Sequence, residues 1–144
     1  MSEDDREAAA DRLLVARQWL AVAGRDVRAA HACLNAREAI PEVAAYLCQQ
    51  ATEKLLKGLL VLSGVPFSKT HDLQPLRDLA VSRFPELQSL IDRLVPLTPW
   101  AHTYRYPNMG GDPAPSVEEL HDILDAIGQF AARVSLLIGP TRED

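Results

Sequence analysis

Residues 41–66, PEVAAYLCQQATEKLLKGLLVLSGVP, decide the fold of this chain. Apolar side chains recur here at steps of three and four, which is the spacing of one face of an α-helix. The stripe consists of Ala44, Cys48, Ala51, Leu55 and Leu59. It is widened by Leu47, Leu56, Leu60 and Leu62. An arc this wide predicts a central helix that contacts several neighbours. Pro41 suits its first position, and Gly64 with Pro66 should end it.

Further helices are predicted on both sides of this stretch. Upstream, steps of four and three predict the longest helix, along Ala9, Leu13, Ala16, Leu20, Ala23, Val27, Ala30 and Leu34. Downstream, shorter helices are predicted at about 72–82 and 85–95. The pair Ser116 and Glu119 predicts a capping box for a last helix. Its stripe is Val117, Leu120, Ile123, Leu124, Ile127, Phe130, Val134 and Leu137, and Gly139-Pro140 should end it. We expect an all-α, antiparallel bundle of about five helices in one domain, residues 1–144, with short polar tails.

Composition narrows the class of protein. The chain of 144 residues has 47% hydrophobic but only 6% aromatic residues, which favours a helical core of Leu, Ala, Val and Ile. A net charge of -5 excludes a chain-wide basic surface, so any nucleic-acid site must be local. The acidic start and the lack of a long apolar run predict a cytoplasmic protein without membrane contact. Cys33 and Cys48 lack zinc-ligand spacing, and we expect no metal and no cofactor.

Three short motifs carry a resemblance to a known family. They are CQQATEKLLKGLL at 48–60, KTHDL at 69–73 and RYP at 105–107, in this order on the predicted helices. Together they resemble the prokaryotic HEPN family (higher eukaryotes and prokaryotes nucleotide-binding), over about residues 16–132. The resemblance implies a helical bundle that usually dimerises. It also implies a gene often placed beside a minimal nucleotidyltransferase in toxin-antitoxin-like pairs, and in many members RNA cleavage without a metal.

The catalytic pattern of the ribonuclease members is not intact in this chain. In those members an Arg is followed four to six residues later by a His. After Arg105 the corresponding residues are Gly110, Gly111 and Asp112, and the next histidine is His121. Arg25 and His31 have the right spacing but lie in the first predicted helix, so we interpret that pair as a coincidence. Whether the protein is an enzyme therefore stays open.

The segment from 96 to 115 is a candidate site because five prolines and two glycines interrupt the helical pattern there. Metal-free RNA cleavage needs a proton acceptor, a proton donor and a cation. His102 and Arg105 are the catalytic candidates, and Tyr104 and Tyr106 could stack on a base. The alternative is a structural loop, in which the tyrosines and Trp100 hold a proline-rich segment against the bundle.

Other polar residues have both a structural and a functional interpretation. Lys69 and His71 could contact a phosphate at a helix N-terminus, although Thr70 also reads simply as an N-cap. Glu53 and Lys57 form a favourable i, i+4 pair, expected at the surface. Three polar residues of the second helix should lie on a solvent-facing stripe: Gln49, Gln50 and Lys54. The alternative is that they face a partner subunit or the Arg105 loop. Lys54 is our further candidate for nucleotide or RNA binding.

Three functions remain compatible with the sequence. The preferred one is an RNA- or nucleotide-binding partner of a separate minimal nucleotidyltransferase. The alternatives are a metal-independent ribonuclease toxin and a non-catalytic helical dimerisation module. We expect a homodimer, because the wide apolar arc of the second helix exceeds what one small core should need.

Overall fold

The computed structural model describes residues 1–103 and 114–139, with residues 102 and 103 described by their backbone alone. These residues form helices α1 (Glu3–Asn35), α2 (Pro41–Leu62), α3 (Leu73–Arg83), α4 (Gln88–Asp92), α5 (Trp100–Thr103) and α6 (Val117–Ile138). Two 3₁₀ turns, Pro85–Leu87 and Val95–Leu97, flank α4. Within these ranges no strand is present, which confirms the prediction of an all-α bundle. None of the helices described is long and apolar enough to cross a membrane.

Helix α1 begins six residues before its predicted stripe because a polar cap starts it. The Ser2 hydroxyl accepts a hydrogen bond from the Asp5 N–H at 3.1 Å. The Asp5 carboxylate accepts one from the Ser2 N–H, also at 3.1 Å. These reciprocal bonds satisfy two backbone donors that a helix start otherwise leaves without partners. The same bonds lower the pKa of the Asp5 carboxyl group.

Helices α1 and α2 pack closely because small residues line their interface. On α1, Ala16, Ala23 and Ala30 are buried. Gly58 of α2 is the tightest point, where an added Cβ would lie 3.2 Å from the Trp19 Cβ. A glycine here allows the two helix backbones to approach each other, and it leaves room for the Trp19 Cβ beside α2.

Helix α2 is central, as its wide apolar arc predicts. It contacts α1, α3, α5 and α6. Its largest enclosed side chains are Leu55, Leu56, Leu59 and Leu60. Cys48 is also buried, and this burial raises the pKa of its thiol to about 12. The apolar arc of α2 therefore packs mainly against other helices of the same chain. It gives no support to the expected dimer.

Three local predictions need correction. The N-cap of α3 is Asp72, whose side chain accepts from the Gln74 N–H, whereas the Thr70 hydroxyl accepts from the Asp72 N–H. The helix predicted at 85–95 is broken into the short α4 and its flanking 3₁₀ turns, because Pro96 has no N–H to continue a helical ladder. On α6, Leu137 is 41% exposed and Ile138 takes the inward position.

Candidate functional site

A line of buried polar residues runs along α2. Gln49, Glu53 and Lys57 are spaced by four, so they share one face of the helix. Their exposed fractions are only 0%, 4% and 8%. The prediction of a surface pair for Glu53 and Lys57, and of a solvent-facing Gln49, is therefore wrong. Because α2 is packed on several sides, other segments of the same chain cover even its polar face.

Glu53 is the centre of this polar network. Its carboxylate accepts from the Lys57 Nζ at 3.0 Å and from the Gln49 Nε2 at 3.4 Å. The His71 Nδ1 lies 2.9 Å from the Glu53 Oε1. Since an ionised carboxylate only accepts hydrogen bonds, Nδ1 carries the proton in this contact. These three donors, of which the Lys57 ammonium is a cation, offset much of the cost of taking the carboxylate out of water.

Gln49 ties this network to the segment before α3. Its Nε2 donates to the backbone oxygen of His71 at 2.9 Å. Its Oε1 accepts from the Gln50 side chain at 2.7 Å. Together with the contact between His71 and Glu53, these bonds hold the backbone and the ring of His71 against α2. The network thus positions His71, just before α3, as well as the α2 side chains.

Trp19 of α1 completes the surroundings of Lys57. The Lys57 ammonium lies 5.8 Å from the centre of the Trp19 ring, within the range of a cation–π interaction. Lys57 therefore contacts a carboxylate and an aromatic face at once. Its position is set from two helices, and the neighbouring Gly58 allows the close approach that brings Trp19 there.

A cavity of about 460 Å³ opens beside this network. Its walls are Trp19, Lys57, Phe67, Lys69, Thr70 and His71. Two aromatic residues, two lysines, a threonine and a histidine thus border one space, whose surface is mainly apolar. Its volume falls in the range of roughly 300–1,000 Å³ that is typical of small-molecule sites. Cations beside aromatic rings suit a ligand that combines an anionic group with a flat ring.

The predicted site residues fall into three places. Lys69 and His71 line the cavity, together with Thr70. Lys54 does not, because its Nζ lies 2.6 Å from the Asp26 carboxylate of α1 and ties the two helices together. The remaining candidates, which lie outside the residues or side chains that the structure describes, are His102, Tyr104, Arg105 and Tyr106.

Sequence reasoning missed Trp19, Lys57 and Phe67 as site residues. A signal for Lys57 was present, because leucines and Gly58 flank it on a helix predicted to be central. A charged residue within such a run must be paired or must border a cavity. Trp19 and Phe67 gave no comparable signal, since both have the ordinary pattern of partly buried core residues.

Comparison with known proteins agrees with the motifs. The HEPN domain family matches residues 16–137, a range that includes every wall of the cavity. No curated protein and no solved structure matches the chain. Among residues 1–103 and 114–139, no group of three or more His, Cys, Asp or Glu side chains could hold a metal ion. The match covers most of the chain, and it agrees with the resemblance in the 48–60 and 69–73 motifs: the chain belongs to the HEPN domain family.

Proposed function

We propose that this HEPN protein binds a nucleotide, free or at an RNA end, in the cavity between α1, α2 and the stretch from Phe67 to His71. The observation that carries the proposal is the placement of Lys57 and Lys69 beside the rings of Trp19 and Phe67. In this function the protein acts by binding, as the partner of a separate minimal nucleotidyltransferase. The partnership rests on the family resemblance of the sequence motifs, and the binding site rests on the cavity.

The cations of the cavity suit a phosphate group. Lys57 already shares its charge with Glu53, so it supplies a fixed donor with little free positive charge. Lys69 is exposed and supplies the additional cation, while Thr70 and His71 offer further hydrogen-bonding groups. Charge-assisted contacts of this kind are the strong ones in anion recognition. In a chain with a net charge of -5, such a local group is where a nucleotide would meet favourable electrostatics.

The aromatic walls suit a base. Stacking of a base on an aromatic side chain is worth about 1–3 kcal/mol and tolerates any base. Trp19 is partly buried and held by α2, so its ring is pre-positioned and loses little freedom on binding. The cavity has room for a mononucleotide but not for a double helix, which supports a single nucleotide as the unit bound.

One geometric feature favours a second candidate function, metal-independent RNA cleavage. A histidine whose Nδ1 donates to a carboxylate presents Nε2 as a proton acceptor when the ring is neutral. His71 is held in this way by Glu53, and Lys57 and Lys69 lie nearby. Cleavage of single-stranded RNA that survives chelation of divalent metals and is lost in His71→Ala would support this candidate over simple binding.

The proposed binding is tested by isothermal titration of the purified chain with adenosine mono-, di- and triphosphate and with a short single-stranded RNA. Lys69→Ala should weaken binding by about 1.5–3 kcal/mol, the usual worth of a hydrogen bond to a charged group. Arg83→Ala is the matched control, because Arg83 is exposed at the end of α3 and does not line the cavity. Equal affinities of the two variants would refute the site, and heat effects absent for all ligands would refute nucleotide binding.

The partnership requires a separate test. Affinity purification of the tagged chain from its native host, followed by identification of bound proteins, should recover a nucleotidyltransferase. Recovery of the chain without any such protein would contradict the partnership while leaving nucleotide binding to be decided by the titration.

A further inference from the structure

The charges around the cavity largely cancel one another. The Glu53 carboxylate lies 3.0 Å from the Lys57 Nζ and 2.9 Å from the His71 Nδ1, so it compensates the cation that borders the cavity from α2. Lys69, by contrast, forms no ion pair with a residue in the ranges 1–103 and 114–139. Of the described residues that line the cavity, only Lys69 thus offers a positive charge with no carboxylate bound to it.

The start of α3 follows the cavity wall directly but offers no further site for phosphate. A helix N-terminus binds phosphate through its free backbone N–H groups. In α3 the Leu73 N–H donates to the Thr98 hydroxyl at 3.1 Å. The Gln74 N–H donates to the Asp72 carboxylate at 3.0 Å. The third helical position is Pro75, which has no N–H. The first turn of α3 is therefore already saturated by groups of the chain itself.

Asp72 adds a negative charge at the edge of the cavity. It follows the wall residue His71 directly, and it is exposed while its carboxylate caps α3. Charges at a protein surface interact over about a Debye length, ~8 Å at physiological ionic strength, whereas adjacent Cα atoms are ~3.8 Å apart. Phosphate groups that extend from the cavity towards α3 would therefore meet the charge of Asp72 and no free N–H group.

The rest of the cavity surface is mainly apolar, with Trp19 and Phe67 among its walls. Such walls can stack on a base, but they cannot replace the water that a charged group loses on binding. The cavity as a whole thus suits a ligand that is largely aromatic and carries one anionic group.

We propose that the cavity selects a nucleotide with a single phosphate group, free or at an RNA end, over the corresponding di- and triphosphates. This inference rests on the proposed nucleotide binding and names the class of ligand. Lys69 pairs with the one phosphate. A second and a third phosphate lack an uncompensated cation among the described wall residues and lie near the charges of Glu53 and Asp72, so they lower the affinity.

Isothermal titration of the full chain compares adenosine with its 5′-mono-, di- and triphosphate at pH 8 in EDTA. A free imidazole is largely uncharged at this pH, and EDTA removes divalent cations that would neutralise the phosphates. The monophosphate should bind about tenfold or more tighter than adenosine, the usual worth of a hydrogen bond to a charged group. The di- and triphosphate should bind about two- to fivefold more weakly than the monophosphate, the usual effect of an exposed charge.

RNA ends distinguish the two sources of such a ligand. A short single-stranded RNA is titrated with a 5′-hydroxyl, a 5′-monophosphate or a 5′-triphosphate end. If an RNA end is the natural ligand, the monophosphorylated RNA should bind more tightly than adenosine monophosphate. If a free nucleotide is the ligand, the RNA should add no affinity. In both cases the monophosphate should be the tightest ligand of its series.

Two variants test the charges that set the selectivity. Lys69→Ala should remove the advantage of the monophosphate over adenosine. Asp72→Asn removes a negative charge but keeps a residue that caps helices equally well, so it should strengthen triphosphate binding more than monophosphate binding. Asp125→Asn is the control, because it changes the net charge equally on exposed α6, which does not line the cavity. It should leave the ratio of the two affinities at the wild-type value.

The outcomes separate this inference from the proposed function. A di- or triphosphate that binds more tightly than the monophosphate overturns the selectivity, and so does a monophosphate that binds no more tightly than adenosine. Equal affinity ratios in Asp72→Asn and Asp125→Asn overturn the role given to Asp72. Absence of binding for every ligand refutes the nucleotide site itself, whereas binding with the wrong order refutes the selectivity alone.

Discussion

Replacing Glu53 with methionine would show how strongly the buried network stabilises the fold. Methionine keeps a side chain of similar length but removes the charge that faces Lys57. The side chain of Lys57 is only 11% exposed, and its Nζ lies 3.0 Å from the lost oxygen. At an effective dielectric constant of ~20, an ion pair at this distance has an attraction of about 5 kcal/mol. Removing one partner of a buried pair typically costs about 3–5 kcal/mol, because the other charge stays buried.

The contributions of the other partners are smaller. His71 is 52% exposed, so water can replace the lost acceptor of its Nδ1. Gln49 keeps its bond to the His71 backbone oxygen. We therefore expect Glu53→Met to lower the free energy of unfolding by about 3–5 kcal/mol, a large share of the ~5–15 kcal/mol of a typical domain.

Urea unfolding followed by circular dichroism measures this loss. The matched variant is Glu53→Met with Lys57→Met, which removes both charges and should recover much of the stability. The two single losses should therefore sum to clearly more than the loss of the double variant. A loss below about 1 kcal/mol for Glu53→Met, or additive losses, would refute the view that the pair is desolvated and coupled.

Three further predictions concern the packing of the bundle. An added Cβ at Gly128 on α6 meets nothing within 4 Å, so Gly128→Ala should raise the unfolding free energy by about 0.5–1 kcal/mol in thermal or urea unfolding. Gly58→Ala should instead destabilise, because Trp19 Cβ lies 3.2 Å from the new atom and moves only with α1; a gain at Gly58 equal to that at Gly128 would contradict the tight interface. Because burial raises the pKa of Cys48 to about 12, a thiol reagent at neutral pH should modify the half-buried Cys33 and spare Cys48 until urea unfolds the chain. Reaction of both thiols at one rate in the folded protein would show that Cys48 is accessible.

The sequence predicted the parts of the fold that depend on local patterns. Pro41 begins α2 and Gly139, with φ of 82°, ends α6, because these residues act through their own backbone angles. The start of α3 was predicted less well, since Thr70 and Asp72 are both good N-caps and the choice depends on a distant residue. The Thr98 hydroxyl accepts from the Leu73 N–H at 3.1 Å, which fixes where the helix begins.

The sequence predicted only those site residues that a local sequence feature marks. Lys69 and His71 were recognised because both stand just before a helix N-terminus, which is a local feature. Lys54 was selected and Lys57 was overlooked, because the sequence does not show which residue of another helix each lysine meets. Only the packing of α1 on α2 directs Lys54 to Asp26 and Lys57 to Trp19.

Some residues of the cavity also belong to the network of Glu53, whereas Lys69 does not. Lys57 and His71 belong both to the cavity and to the network of Glu53, so their replacement changes stability and binding together. Lys69 lines the cavity without contacting Glu53, and it is exposed. A variant at Lys69 therefore separates recognition from folding, whereas a variant at Lys57 cannot. In the proposed nucleotide binding, the network of Glu53 holds Lys57 and His71 in place before the ligand arrives. The exposed Lys69 supplies the positive charge for the phosphate.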